Sequence, residues 1–336
     1  MNKHIIYLSL ILLFIAFSCK QNNYSVNLND LELDLSIKRI EKKLFSGDPA
    51  QLNTSLEKLK SDDRDFIKYL GYVINIGSID DSAWNTNMQL FATDKQNVEV
   101  YQEVIEHYPD IEAFEKSMED AWKHYMYYFP DNIIPRIYTC VSGFNNSLIV
   151  GDSVVGVSLD RYLGEDCKYY PMLGIYEYQQ KLMIPEKLVP DCMYGWASSS
   201  WALNDNSNVN LLQTMLHEGR LIYFTKCMLP EIADTILFGN TDAQMNFARN
   251  NEQEMWEYII EHDLLFSTDQ MVIRKLTGAA PFTSYFTSES PGRAASWLGF
   301  RIVEAFMRQE SDIDLAYLMG IEDLHSILKG SRYSPR

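Results

Sequence analysis

The sequence predicts an α+β protein: one mainly helical domain with a small antiparallel sheet and a buried central helix. Three observations carry this. An apolar period of three and four runs through residues 110–129, three short β-branched and aromatic runs follow between residues 136 and 159, and segment 210–229 is apolar on nearly all sides. Hydrophobic residues make up 46 % of the 336 and charged residues 22 %, as in ordinary globular proteins.

The chain opens with Lys3 and His4 before an apolar run over residues 5–17, broken only by Ser9. About 13 apolar residues cannot span a ~30 Å hydrocarbon core, so the run reads as the core of a signal peptide. It ends in Ala16-Phe17-Ser18-Cys19, a lipobox-like arrangement with small Ser18 before the first cysteine, although Phe17 departs from the strict pattern. The expectation is a signal peptide over residues 1–18, an acylated Cys19 and a tether over residues 19–35. The alternative is an ordinary secreted chain with an incidental cysteine. Removing 18 of the 336 residues leaves 318 with a formal charge of −18. No acidic cluster follows Cys19, which favours the periplasmic side of the envelope.

The domain is expected over residues 36–330. Residues 36–130 read as a helical layer, with shorter helices at 37–45, 63–74 and 82–91. Its best helix, 110–129, carries Ile111, Phe114, Met118, Trp122, Tyr125 and Phe129 on one stripe, and Pro130 ends it. Runs 136–141, 147–150 and 154–159 are separated by turn residues and predict an antiparallel meander. Residues 164–208 read as loop. In 210–229, Leu212, Met215, Leu216, Gly219, Ile222 and Tyr223 form one stripe and Leu221, Phe224 and Met228 another, the mark of a helix buried all round. A Thr241–Gln244 capping box opens a long helix towards Phe266. Ser290 and Pro291 then supply an N-cap and a first-turn proline for a helix over 292–307. The sheet is too small to bury its own faces without helices from both flanks, so one domain is expected rather than two.

Against 29 Lys and Arg stand 46 Asp and Glu, a formal charge of −17. A phosphate backbone needs a cationic surface, so nucleic acid is excluded as a partner. The acidic body would also be repelled by anionic headgroups, so membrane attachment falls to the acyl chains.

One constellation could carry chemistry. His217-Glu218 begins as the zinc-peptidase motif H-E-x-x-H begins, in which two imidazoles one helical turn apart hold Zn²⁺ and the glutamate activates its water. The second ligand position here is Leu221, and Glu252 or Glu254 could supply only a third. The simpler reading makes His217 a core histidine hydrogen-bonded to a neighbouring backbone group or carboxylate, with Glu218 capping or pairing with a nearby cation, in a degenerate, non-catalytic peptidase-like helix. No catalytic residue, metal or cofactor is expected. No nucleophile elbow, phosphate loop or dinucleotide fingerprint is present. Ser198, Ser199 and Ser200 read as loop, and His107, His124, His262 and His325 are scattered. Cys140, Cys167, Cys192 and Cys227 lack metal spacing and are expected mostly as buried free thiols, a single disulfide being the alternative.

Several stretches together resemble the gliding-motility lipoprotein GldB family of Bacteroidetes. They are the start at Cys19, Ile37-Lys38-Arg39-Ile40-Glu41 with Leu44-Phe45, Tyr127-Tyr128-Phe129-Pro130 and Leu159-Asp160-Arg161-Tyr162-Leu163-Gly164. Gly219-Arg220-Leu221-Ile222-Tyr223, Leu264-Leu265-Phe266-Ser267-Thr268-Asp269 and Glu289-Ser290-Pro291-Gly292-Arg293 continue the series. The resemblance implies an envelope lipoprotein needed for gliding in motile members, with protein partners in the envelope and no assigned catalytic residues. The last stretch also has a structural account: Ser290 caps, Pro291 needs no donor, Gly292 and Gly299 allow close helix packing, and Arg293 seeks a buried carboxylate, Glu289 being a local candidate. The competing class is a metal-dependent hydrolase of peptides or cell-wall material built on His217 and Glu218.

Overall fold

A computed structural model describes residues 24–45, 49–203 and 209–335. The signal peptide, Cys19 and the start of the tether lie outside the described residues.

Strands β1 (Ile37–Arg39), β2 (Arg136–Cys140), β3 (Leu148–Gly151) and β4 (Val154–Ser158) form one sheet among the described residues, in the order β1-β2-β4-β3. Only β3 and β4 are antiparallel, joined through Asp152-Ser153; β1–β2 and β2–β4 are parallel. The expected antiparallel meander is therefore a mixed sheet. The reason lies in burial: every residue of β4 is buried, because helices cover both faces of the sheet, and such strands read as unbroken apolar runs. The helix expected over residues 37–45 is also corrected. Ile37–Arg39 pairs with Ile137–Thr139, and only Ile40–Phe45 (α1) is helical.

Two cores flank the sheet. Val155 and Val157 of β4 join Ile137 in the larger one, while Val154 joins Tyr138 and Cys140 in the smaller. The smaller core is closed by α1, α2 (Pro49–Asp62), α3 (Arg64–Val73) and α4 (Trp84–Thr93). Gly156 faces it, where a Cβ would lie 2.2 Å from the Phe66 ring, and Phe66 stacks flat on Tyr138 at 4.4 Å. Helix α5 (Lys95–His107) leads to α6 (Glu112–Tyr128), whose whole predicted stripe from Ile111 to Phe129 is buried in the larger core.

Residues expected as loop contain α7 (Leu188–Ser200), which buries Leu188, Val189, Cys192, Met193, Trp196 and Ala197 at helical spacing. Pro190 lies in its first turn, where backbone N–H groups have no intrahelical acceptor. Helix α8 (Leu211–Met228) is the buried central helix, opened by a reciprocal Asn210–Gln213 capping box. The Thr241–Gln244 box also forms, but the long helix it opens breaks at Asn251 into α9 (Asp242–Asn250) and α10 (Glu252–Glu261). Asn251 turns its side-chain amide back onto the Phe247 carbonyl at 2.8 Å, competing with helix continuation. Helices α11 (Gln270–Thr277), α12 (Ala294–Gln309), α13 (Leu315–Gly320) and α14 (His325–Ser331) complete the larger layer.

The closest helix contact joins α8 to α12. A Cβ on Gly299 would lie 1.8 Å from the Met215 carbonyl oxygen, and one on Gly219 would lie 2.3 Å from the Gly299 carbonyl carbon, so the two backbones touch. Tyr24 is fixed on the same pair: its hydroxyl donates to Glu304 at 2.9 Å and its ring meets Tyr223 edge-on. From Tyr24 onward the expected tether thus lies against the body, with Leu33 and Leu35 packed on the larger core.

Candidate functional site

The backbone contact between α8 and α12 leaves no room for side chains at its centre and sends those on either side of it outward. Glu218, next to Gly219 on α8, meets Arg293, the residue before α12. The guanidinium Nη2 of Arg293 donates to the Glu218 carboxylate and, at 3.2 Å, to the Tyr194 hydroxyl on α7; its Nε donates to the Thr277 carbonyl at 3.3 Å. Tyr194 in turn donates to Glu218 at 2.7 Å. Burial opposes the charge on Arg293, but Tyr194 and Glu218 outweigh it and hold its pKa above the ordinary value. The same burial raises the Tyr194 phenol and keeps it a donor.

Two separate sequence motifs, His217-Glu218 and Glu289-Ser290-Pro291-Gly292-Arg293, therefore converge in one ion pair. The local candidate Glu289 is exposed and not the partner. The expected capping is also corrected. The helix begins at Ala294 rather than at residue 292, with Arg293 in the left-handed region at φ 57°. The Ala294 N–H donates to Thr283 Oγ1 at 3.0 Å, so a distant threonine supplies the cap. Ser290 instead closes the loop before the helix, donating to the Thr287 carbonyl at 2.7 Å and accepting from the Thr283 N–H at 3.2 Å. Pro291 supports that loop by accepting from Thr283, and Gly292 is required where a Cβ would lie 2.1 Å from the Ala280 carbonyl oxygen.

Arg293 lines a groove of about 830 Å³ between residues 176–191, 235–244 and 279–281, whose floor deepens into a chamber of about 70 Å³ between Tyr194, Phe238 and Trp297. Thr283, Tyr194 and the groove itself were outside the reach of sequence reasoning, because each is contributed by a segment remote in the chain.

The zinc-peptidase comparison finds no support in this geometry. His217 is buried at 6 % exposure as a core residue, but the expected hydrogen bond is corrected, since its Nδ1 has no partner among the described residues; burial together with nearby Arg220 lowers its pKa and favours the neutral ring. Glu252 accepts from Arg301 at 3.1 Å and from Tyr333 at 2.8 Å, and Glu254 points to solvent. Among the described residues no group of three His, Cys, Asp or Glu side chains is placed to hold a metal ion. His107, His124 and His262 each bond the carbonyl four residues back, and His325 lies near Asp323. Ser199 and Ser200 are exposed at the end of α7, and Cys140, Cys167, Cys192 and Cys227 are free thiols. Among the described residues no helix is long and apolar enough to cross a membrane.

No characterised protein and no solved structure matched the chain in sequence and structure comparisons. A family model described as gliding motility protein GldB, a lipoprotein family, matches residues 21–335, which include both halves of the Glu218–Arg293 pair, and the chain belongs to that family.

Proposed function

We propose that this protein is a lipid-anchored, non-catalytic component of the gliding-motility apparatus or a related envelope machine, held by acyl chains on Cys19, facing the periplasm and acting through protein contacts. The observation that carries the non-catalytic part is the state of Glu218. A general base must reach a water or a substrate proton, whereas this carboxylate is held by Arg293 and Tyr194. The family supports the envelope role. The anchor follows from the lipobox-like segment, and Tyr24 stands five residues after Cys19, a reach of at most ~18 Å at full extension. The body would therefore be held close to the bilayer.

Metabolic labelling with a fatty-acid analogue tests the anchor: wild type incorporates it, Cys19→Ser does not, and equal labelling of both would overturn it. Crosslinking in intact membranes should return the same envelope proteins repeatedly, and a motile host lacking the gene should cease to glide. Turnover of peptides or cell-wall fragments by the native protein, abolished in Glu218→Gln, would replace this reading with that of a hydrolase.

A further inference from the structure

The guanidinium of Arg293 is not used up by its partners. Nε and Nη2 are engaged, but among the described residues no hydrogen bond uses Nη1, and the side chain is 34 % exposed on the groove wall. Its left-handed backbone is uncommon for a residue with a side chain, and strain of this kind persists where surrounding structure over-determines it, often at ligand sites. Lys187 stands in the same chamber, with its ammonium on Asp191 at 2.9 Å and the Ile236 carbonyl at 3.1 Å, which leaves a third donor.

Charge and shape narrow the ligand. The groove walls carry Lys181, Lys187 and Arg293, paired in turn with Glu177 at 2.8 Å, Asp191 at 2.9 Å and Glu218, so the site is balanced in charge within a chain of formal charge −17. An anionic group meets less repulsion there than on the acidic remainder of the surface, and Arg293 and Lys187 each keep a donor for it. A single small ion would leave most of about 830 Å³ unfilled. The short helix Asp234–Phe238 turns Ile236, Leu237 and Phe238 partly exposed along the groove. At its lip Tyr176 is 69 % exposed and stacks on Tyr178 at 5.9 Å. Exposed tyrosines beside an apolar floor suit a peptide chain.

We infer that this groove binds an extended acidic peptide segment of a protein partner. A carboxylate of that segment sits on Arg293 Nη1 and Lys187, and its apolar side chains lie on Ile236, Phe238 and the tyrosine pair. Glu218 and Tyr194 act as positioning residues that hold the guanidinium in place. The inference rests on the proposed role through protein contacts and names the surface that makes them.

The acylated full chain in phospholipid nanodiscs is panned against phage-displayed random heptapeptides. Enriched peptides should share an Asp or Glu at one fixed position beside aliphatic or aromatic residues. A synthetic peptide of that sequence should lose at least tenfold in affinity on Arg293→Met, the same amount when its own acid becomes alanine, and no further tenfold when both changes are combined. Should Arg293→Met fail to fold by circular dichroism, Lys187→Met in the groove wall and Tyr176→Ala at its exposed lip should each cost threefold or more. No enrichment, peptides without an acidic position, or affinity unmoved by Lys187→Met and Tyr176→Ala would each overturn the inference. A photoreactive benzoylphenylalanine at Tyr176 in intact membranes separates the two levels. Envelope partners captured elsewhere on the surface but never from Tyr176 leave the protein-contact role standing and remove the groove, while no partner at any position removes the role itself.

Discussion

Arg220, within the central helix α8, and Arg293, packed against it from the start of α12, meet opposite fates. Arg220, two residues from Glu218, is 5 % exposed and donates through Nη1 to the carbonyls of Leu318, Met319 and Ile321 at 3.3, 3.2 and 2.8 Å, at the C-terminal end of α13. No carboxylate pairs with it among the described residues, and burial pulls its pKa down to about 10. Helix-terminal carbonyls offer the right geometry and the right sign, but only a partial charge. Arg293 has a full carboxylate in Glu218, and its pKa moves the other way. The first cation is sealed and fastens two helices; the second is anchored and still open on one side. A buried cation need not be a functional one; what distinguishes Arg293 is a donor left facing a groove.

The largest expected difference is in stability. Arg220→Ala strands the Met319 and Ile321 carbonyls, leaves that of Leu318 only the Ile321 N–H and opens a cavity, and should cost about 3 kcal/mol or more in urea unfolding. Arg293→Ala, at a pair partly open to water, should cost about 1–2 kcal/mol. The reverse order would break the comparison. A double-mutant cycle between Glu218→Gln and Arg293→Met should return a coupling of about 1 kcal/mol, and a value near zero would mean the pair is not formed in solution. Tyr194→Phe removes one hydroxyl shared by the pair and should cost about 0.5–1 kcal/mol.

The smallest and most local effect is on His217, which lies between the two sites. Its folded pKa is lowered by burial and by Arg220 and lifted by Glu218. The folded state therefore binds its proton less readily than the unfolded state. The stability it contributes is present above the ordinary histidine value of about 6.5 and is lost as pH falls below it. His217→Leu should flatten that part of the acid limb. In histidine NMR titration, Glu218→Gln should move the His217 pKa further down, and a move upward would contradict the assigned geometry.

Much of the fold was legible because periodicity records burial directly. The stripe from Ile111 to Phe129 and the all-round apolar residues 211–228 are buried as their spacing requires. Helix α7 was legible in principle, since its apolar pairs 188–189, 192–193 and 196–197 recur every four residues, but Pro190 and the serines masked it. Strand β1 could not be read: three residues have no pattern of their own, and only hydrogen bonds to β2 make them a strand. The start of α12 was misplaced for a related reason, since Ser290-Pro291 carries a local capping signal that Thr283 overrides from outside the helix.

By itself the sequence determined the helical content, the buried central helix, the acidic charge and the family, because each is written in composition, spacing or a contiguous stretch of residues. It also determined that a carboxylate and a guanidinium stand in two distinctive motifs. Only the tertiary structure decided that the two are partners. Seventy-five residues separate Glu218 from Arg293, and what joins them is the contact of Gly219 with Gly299, two positions with no side chain to announce themselves. Pairing across a fold depends on which backbones can touch, and that is a property of packing rather than of any single segment.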